Sequence, residues 1–320
     1  MPTLDYFAQF TMADHQRALA DAEAKFLRLS ELAEDVARKI IKGPGPHGIK
    51  LPWLSTHDNF RLGDGQLTVL AGENGSGKST LASQILVDVA ANHDVLMMSL
   101  EMDASDVTSM MAKQWSGKDE IALGDYKSFV LDCDDHVWTL ENPTEITPQR
   151  VLGALWQAAD IGVKFVVLDN LQCVNLSTKY DDEKKFIVDI ASVAKVTGIH
   201  ILMVHHTRKS QADQGNIRPT RDRVLGSGAI TNIAQNVILV WANEERQTLA
   251  RKREAGIHLL SEENAYLAEH GDIEFKIEKQ RFGPDRWNVQ LFLDAGRLHK
   301  DGEMAPNCLP ARRRVPGVAG

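Results

Sequence analysis

Gly72-Glu73-Asn74-Gly75-Ser76-Gly77-Lys78-Ser79 satisfies the pattern G-x-x-x-x-G-K-(S/T) at every fixed position. An apolar stretch, Leu67 to Ala71, precedes it, and a helical pattern through Leu81, Ile85, Leu86 and Val89 follows. The pattern predicts a strand, a tight loop and a helix N-terminus. Glycines at 72, 75 and 77 let the backbone curl so that successive N–H groups, those of Asn74, Ser76 and Thr80 among them, face phosphate oxygens. Lys78 is placed to reach the β- and γ-phosphates, and the Ser79 hydroxyl to ligand Mg²⁺. An ordinary βα turn rarely meets all these conditions together. The stretch therefore implies binding of a nucleoside triphosphate, with ATP as the default.

Outward from this loop, short apolar runs alternate with helical patterns. Strands are predicted at Gln66–Ala71, Val95–Ser99, Phe165–Asp169, His200–Val204 and Val237–Trp241, and helices at Ser79–Ala91, Ala104–Trp115, Pro148–Ile161, Glu183–Val196 and Ser227–Ala234. Such alternation implies an α/β fold with a mostly parallel sheet flanked by helices, its ligands outside the carboxyl ends of the strands. Residues 273–279 and 287–293 read as an antiparallel hairpin around Phe282-Gly283-Pro284-Asp285.

Before this core, residues 13–42 read as one long helix. Its apolar residues Leu19, Ala22, Phe26, Leu29, Ala33, Val36 and Ile40 recur at steps of three and four, and Gly43-Pro44-Gly45-Pro46 ends it. Its narrow stripe would pack either on its own domain or on a neighbouring subunit. The organisation expected is an N-terminal segment over 1–50, an ATPase domain over 51–300, and a flexible basic tail over 301–320 carrying Arg312-Arg313-Arg314.

The strand Phe165–Asp169 ends in an aspartate, as a Walker B strand does, and Asp169 would hold Mg²⁺ opposite Ser79. The next residue is Asn170, where many P-loop ATPases carry the glutamate that activates water. Glu101, at the end of the strand after the P-loop helix, is the alternative base. His205-His206 closes the strand that begins at His200; His206 is read as a γ-phosphate sensor and His205 as a surface histidine. The segment 208–223 then carries Arg208, Lys209, Arg218, Arg221 and Arg223 against Asp213 and Asp222, a basic loop suited to tracking a phosphodiester backbone. Lys279 and Arg281 open the hairpin turn, either as a surface basic pair or as a finger stabilising transition-state charge.

Composition sets outer limits. The 320 residues are 43% hydrophobic and 25% charged, ordinary for a soluble globular protein, and fit one large domain or two. The formal net charge of -8 argues against coating nucleic acid through global charge, so any such contact must be local. Cys133, Cys173 and Cys308 form no C-x-x-C pair, and neither an apolar membrane span nor a signal segment is read. These features favour the cytoplasm. No N-K-x-D motif follows the Walker B strand, which disfavours a GTPase.

Six motifs stand in order: Gly72–Thr80; Ser99-Leu100-Glu101-Met102; Val167-Leu168-Asp169-Asn170-Leu171-Gln172; His206 with Arg208-Lys209; Gly226-Ser227-Gly228-Ala229-Ile230; and Lys279-Gln280-Arg281-Phe282-Gly283-Pro284. In this order and spacing the chain resembles the RecA-like motor domain of DnaB-type hexameric replicative DNA helicases, nearest the phage and mitochondrial (Twinkle-like) branch, from about Leu51 to Asp294. The resemblance implies Glu101 as catalytic base, Asp169 as magnesium ligand and His206 as sensor. It makes Lys279 and Arg281 trans-acting, so that active sites lie between subunits of a homo-oligomeric ring, most simply a hexamer. It turns the loop after His206 into a single-stranded DNA loop, and the helix 13–42 into a linker docking on the adjacent subunit. Movement in the 5′→3′ direction and a separate primase or helicase loader are further implications.

Leu225 stands where many members have arginine, and Gln235 where an acidic residue is common. No primase, zinc or separate N-terminal helical domain is read ahead of the motor. Two other readings stay open: a RecA-like recombinase or DNA-stimulated ATPase that does not unwind, and a P-loop regulator that does not bind nucleic acid.

Overall fold

The computed structural model describes residues 28–42, 47–141, 146–176, 180–208, 218–225, 228–281, 283 and 287–301. The chain divides into two compact units, Met1–Pro44 and Gly45–Gly320. In the first, a 3₁₀ turn at Leu29–Leu32 runs into α1 (Ala33–Lys42), on which Val36 and Ile40 fall one turn apart. The rest of the helix expected over 13–42 lies outside the described residues, as does the basic tail from residue 302.

In the second unit, apolar β-branched and aliphatic runs build one nine-stranded sheet. Its strands are β1 (Leu67–Gly72), β2 (Val95–Ser99), β3 (Val137–Thr139), β4 (Phe165–Asp169), β5 (His200–His206), β6 (Asn236–Ala242), β7 (Ile273–Gln280), β8 (Trp287–Asp294) and β9 (Arg297–His299). The spatial order is β3-β2-β4-β5-β1-β6-β7-β8-β9. Pairing from β3 to β6 is parallel throughout; β6, β7, β8 and β9 pair antiparallel. The expected hairpin is thus present, and β9 extends it.

Both faces of the parallel strands are buried, and the period of two sends alternate residues to separate cores. Leu70, Met97, Phe165 and Val167 join one core, with Leu81 and Ile85 of α2 (Lys78–Val89), Met111 of α3 (Ala104–Ser116) and Phe129 of α4 (Leu123–Cys133). Val69, Met98, Val166 and Leu168 join the other, with Leu155 of α5 (Pro148–Asp160), Ile190 of α6 (Tyr180–Thr197) and Ile230 of α7 (Gly228–Ile233). Local chemistry sets the helix ends. Thr147 accepts from the N–H of Arg150, with Pro148 in the first turn of α5. Gly117, left-handed at φ 65°, stops α3 with its N–H on the Lys113 carbonyl. Between β6 and β7 lie two further helices, α8 (Glu244–Glu254) and α9 (Ser261–Glu269). Arg246 pins them, donating to the Leu267 carbonyl at 2.6 Å and pairing with Asp272 at 3.0 Å.

Candidate active site

The parallel register brings the ends of four strands together. Gly72 stands opposite His206 on β5 and Val240 on β6, and Ser99 stands opposite Asp169. The Leu100 N–H donates to the Asp169 carbonyl at 2.5 Å, so Glu101 leaves β2 beside the end of β4. Four motifs widely separated in sequence therefore meet at one carboxyl edge of the sheet.

The loop from Gly72 to α2 depends on its glycines. Gly75 and Gly77 are left-handed at φ 77° and 85°. A Cβ on Gly72 would lie 2.5 Å from the Val240 carbonyl oxygen and 2.6 Å from Ser76 Oγ. Around Gly75, by contrast, a Cβ would meet nothing within 4 Å, so this part of the cradle is open. Ser76 Oγ is buried without a hydrogen-bond partner among the described residues. Lys78 is buried as well, and its Nζ donates to the Glu73 carbonyl at 2.7 Å. Burial lowers the pKa of this ammonium, while Asp169, Glu101 and Glu73 pull the other way. An orphaned hydroxyl, a buried cation and an open glycine cradle at a helix N-terminus fit a polyphosphate.

Asp169 is buried, which raises its carboxyl pKa; a hydrogen bond from the Ser79 hydroxyl and the charge of Lys78 oppose the shift, and Glu101 adds to it. Ser79 and Asp169 thus present hard oxygen donors side by side, a pair suited to Mg²⁺. Glu101 is exposed beside them. Buried Asn170 donates through Nδ2 to Glu101 Oε2 and to His206 Nε2, the latter at 3.2 Å. His206 is partly buried, and its pKa is lowered first by burial and then by Lys78, with Glu101 opposing.

His205 corrects the sequence reading. It is no surface histidine: the strand runs two residues beyond Val204, and its side chain is buried, with Nε2 2.9 Å from the Leu225 carbonyl oxygen and its pKa pushed down to about 4 by burial. Backbone bonds join this strand end to the returning end of the basic loop. The Leu225 N–H donates to the His206 carbonyl at 2.9 Å, and the Arg208 N–H to the Arg223 carbonyl at 2.7 Å.

The basic residues separate into distinct surroundings. Arg208 is exposed, and Lys209 lies outside the described residues. Arg218 forks onto buried Glu274 with two bonds of 2.9 Å, and its guanidinium stacks 4.7 Å over the Trp241 ring. Arg221 reaches the Asn232 side chain at 2.7 Å, and Arg223 is partly buried. Lys279 donates to the carbonyls of Thr231, Asn232 and Ala234, at the end of α7, and Arg281 is exposed. Lys279 pairs in register with Val237, three residues before Val240, the partner of Gly72. At roughly 3.3 Å per residue, that sets it roughly 10 Å down the sheet, away from its own P-loop. The two departures are also placed. Leu225 supplies the carbonyl that His205 meets, and the Gln235 side chain accepts from the Leu67 N–H at 2.8 Å, anchoring the start of β1.

A cavity of about 190 Å³ adjoins the cradle, walled by Glu73, Asn74, Gly75, Pro219, Trp241 and Gln247. No sequence motif announced it, because its walls come from separate segments. Residues 54–212 match the AAA domain family. In solved structures the chain is similar to a DnaB-like replicative helicase, described together with its interactions with primase. That match has a TM-score of 0.65 and 13% identity, over 89% of this chain and 70% of that one. It is also similar to a second helicase's ATPase domain, solved by itself, with a TM-score of 0.67 and 14% identity, over 86% of this chain and 99% of that one. The chain carries an AAA domain on the fold of a DnaB-type helicase motor. No curated protein matches the sequence. The RecA-like motor fold carries nucleotide binding and an ATPase site with it, and the cradle described above is where that site lies. Among the described residues of the motor no helix is long and apolar enough to cross a membrane.

Proposed function

We infer that the chain is an ATP-driven DNA helicase that works as a ring of identical subunits on single-stranded DNA. The observation that carries this reading is the junction at His206. The strand that ends beside Glu101 and Asn170 is bonded, through its last residues, to the return of a basic loop. A change at the phosphate end thereby has a backbone route to a segment that can hold a phosphodiester chain.

In this reading the triphosphate lies along the N–H groups of residues 74–80, with Lys78 against its β- and γ-phosphates and the nucleoside end towards Trp241 and Pro219. Ser79 and Asp169 would hold Mg²⁺, which neutralises charge on the phosphates. Glu101 orients the attacking water and takes its proton. His206 contacts the γ-phosphate and passes its loss to the loop beyond. Lys279 and Arg281 stand too far along the sheet to serve their own cradle, which supports a role for Arg281 in the site of the next subunit. Arg208, Lys209 and Arg223 are the phosphodiester contacts of this reading, with Arg218 and Arg221 bracing the loop's base. A separate primase or loader is the partner it predicts.

The test is ATP hydrolysis with and without poly(dT), paired with strand displacement on a forked duplex. Stimulated hydrolysis with displacement supports a helicase, and stimulation without displacement points to a recombinase-like ATPase. Full turnover by a monomer indifferent to oligonucleotide would overturn the motor reading.

A further inference from the structure

Asn170 follows the Walker aspartate directly, and its side chain is the only described group that touches both Glu101 and His206. Its orientation is fixed from the other side. Oδ1 accepts from the Gln172 N–H at 2.9 Å and from the Cys173 thiol at 3.6 Å, so the amide nitrogen must face Glu101 and His206. Both hydrogens of that nitrogen are then committed, one to the Glu101 carboxylate and one to His206 Nε2. Asn170 is buried, with 3% of its surface exposed, so water cannot readily replace these bonds.

A nitrogen that accepts from an amide N–H carries no hydrogen itself. His206 is therefore held as the neutral tautomer protonated at Nδ1, an atom buried without a partner among the described residues. Free imidazole in water favours the opposite tautomer, so Asn170 imposes one that the side chain would not choose alone.

We propose that Asn170 is a positioning residue that yokes the Glu101 carboxylate to His206, fixing the carboxylate's direction and the imidazole's tautomer through one amide nitrogen. This rests on the reading of Glu101 as base and His206 as sensor. Its consequence is that base and sensor move together. Displacing His206 from the amide frees one hydrogen of the clamp on Glu101, and withdrawing Glu101 loosens His206. The rival is a local structural role, in which Asn170 serves only through Oδ1 as the cap of the short turn Leu171–Cys173.

Two variants separate these roles. Asn170→Asp keeps an oxygen for the Gln172 N–H and loses both donated bonds; Asn170→Ala loses everything without adding charge. Both should lower kcat by about 10- to 100-fold, the range for outer partners of a reactive group. Binding of the fluorescent analogue mant-ATP should change by no more than about threefold in both. A cap alone predicts near-normal kcat for Asn170→Asp; a charge artefact predicts near-normal kcat for Asn170→Ala. Either result overturns the yoke.

The second measurement needs no variant to fold. ¹⁵N shifts of histidine-labelled protein, with His206 assigned by its loss in His206→Gln, should show hydrogen on Nδ1 in the otherwise unaltered protein. Hydrogen on Nε2 would overturn the proposal outright. Glu101→Gln is the control that keeps the two readings apart. If it hydrolyses ATP at the normal rate, the function proposed above fails while the tautomer result still stands. If it stalls while both Asn170 variants run normally, only the yoke fails.

Discussion

At the scale of single residues, the site places one buried cation and two carboxylates round an open cradle. Lys78→Ala should abolish ATP turnover and weaken nucleotide binding, as a filter-binding and hydrolysis assay would show. Glu101→Gln should bind ATP and leave it uncleaved, with kcat down by about 10²- to 10⁴-fold, the usual worth of a general base. His200 gives a prediction about stability. It is buried, with its ring nitrogens 2.7 Å from the Gly63 carbonyl oxygen and 3.0 Å from Thr68 Oγ1, and burial pushes its pKa down to about 4. A histidine depressed in the folded state contributes stability that is present above its ordinary pKa of 6.5 and lost as pH falls through 4. The contribution is on the order of 3 kcal/mol. His205, also depressed to about 4, acts with the same sign. Asp88, raised to about 6 by burial against the pull of Arg297, acts oppositely across part of that window. Two histidines outweigh one aspartate. Urea midpoints should therefore fall between pH 7 and pH 4, and His200→Gln should flatten the profile. Much of this scale was legible in sequence, because Lys78, Ser79, Glu101 and Asp169 sit at strand ends that apolar patterning defines. The tie of Lys279 to three carbonyls at the end of α7 was not, since nothing near residue 279 reveals which helix end lies above it.

Elements show where patterning works and where it fails. The bounds of β2 and β4 follow from the sequence because each is a short apolar run closed by a polar residue and buried on both faces. Helix α8 escaped because Glu244–Glu254 has no apolar stripe; Leu249 alone is buried on it, and Arg246 does the anchoring. The three-residue strand β3 is too short for any period to register. The phosphate loop yields a prediction of its own. Gly72→Ala would force a Cβ against the Val240 carbonyl oxygen, so stability should fall by about 1–3 kcal/mol, and ATP affinity with it. Thermal melts with and without ATP would measure both. The basic loop yields another. Because Arg218 is a strut on Glu274 and Trp241, Arg218→Ala should cost about 1 kcal/mol, discounted for the exposure of the arginine, and leave the salt dependence of DNA binding unchanged. Arg208→Ala should do the reverse, lowering the slope of log K against log salt by about 0.7 for one lost phosphate contact. A lower slope for Arg218→Ala would return that residue to the strand-binding surface.

For the molecule as a whole, the separation of Lys279 and Arg281 from their own cradle predicts catalysis by complementation between copies. Mixing Lys78→Ala with Arg281→Ala protein should restore part of the hydrolysis that each lacks alone. A mixture as inactive as its components would argue against shared sites. How the copies can meet is limited by the sheet itself. Its two outermost strands, β3 and β9, are three residues each, and they leave too little unpaired backbone to template another chain. Nine strands side by side could otherwise seed endless edge-to-edge growth. Here that route is blunted at both margins, so subunits are left to recognise one another through side chains. Recognition of that kind can be broken and remade during a cycle of work, as a continuous ladder of main-chain bonds cannot.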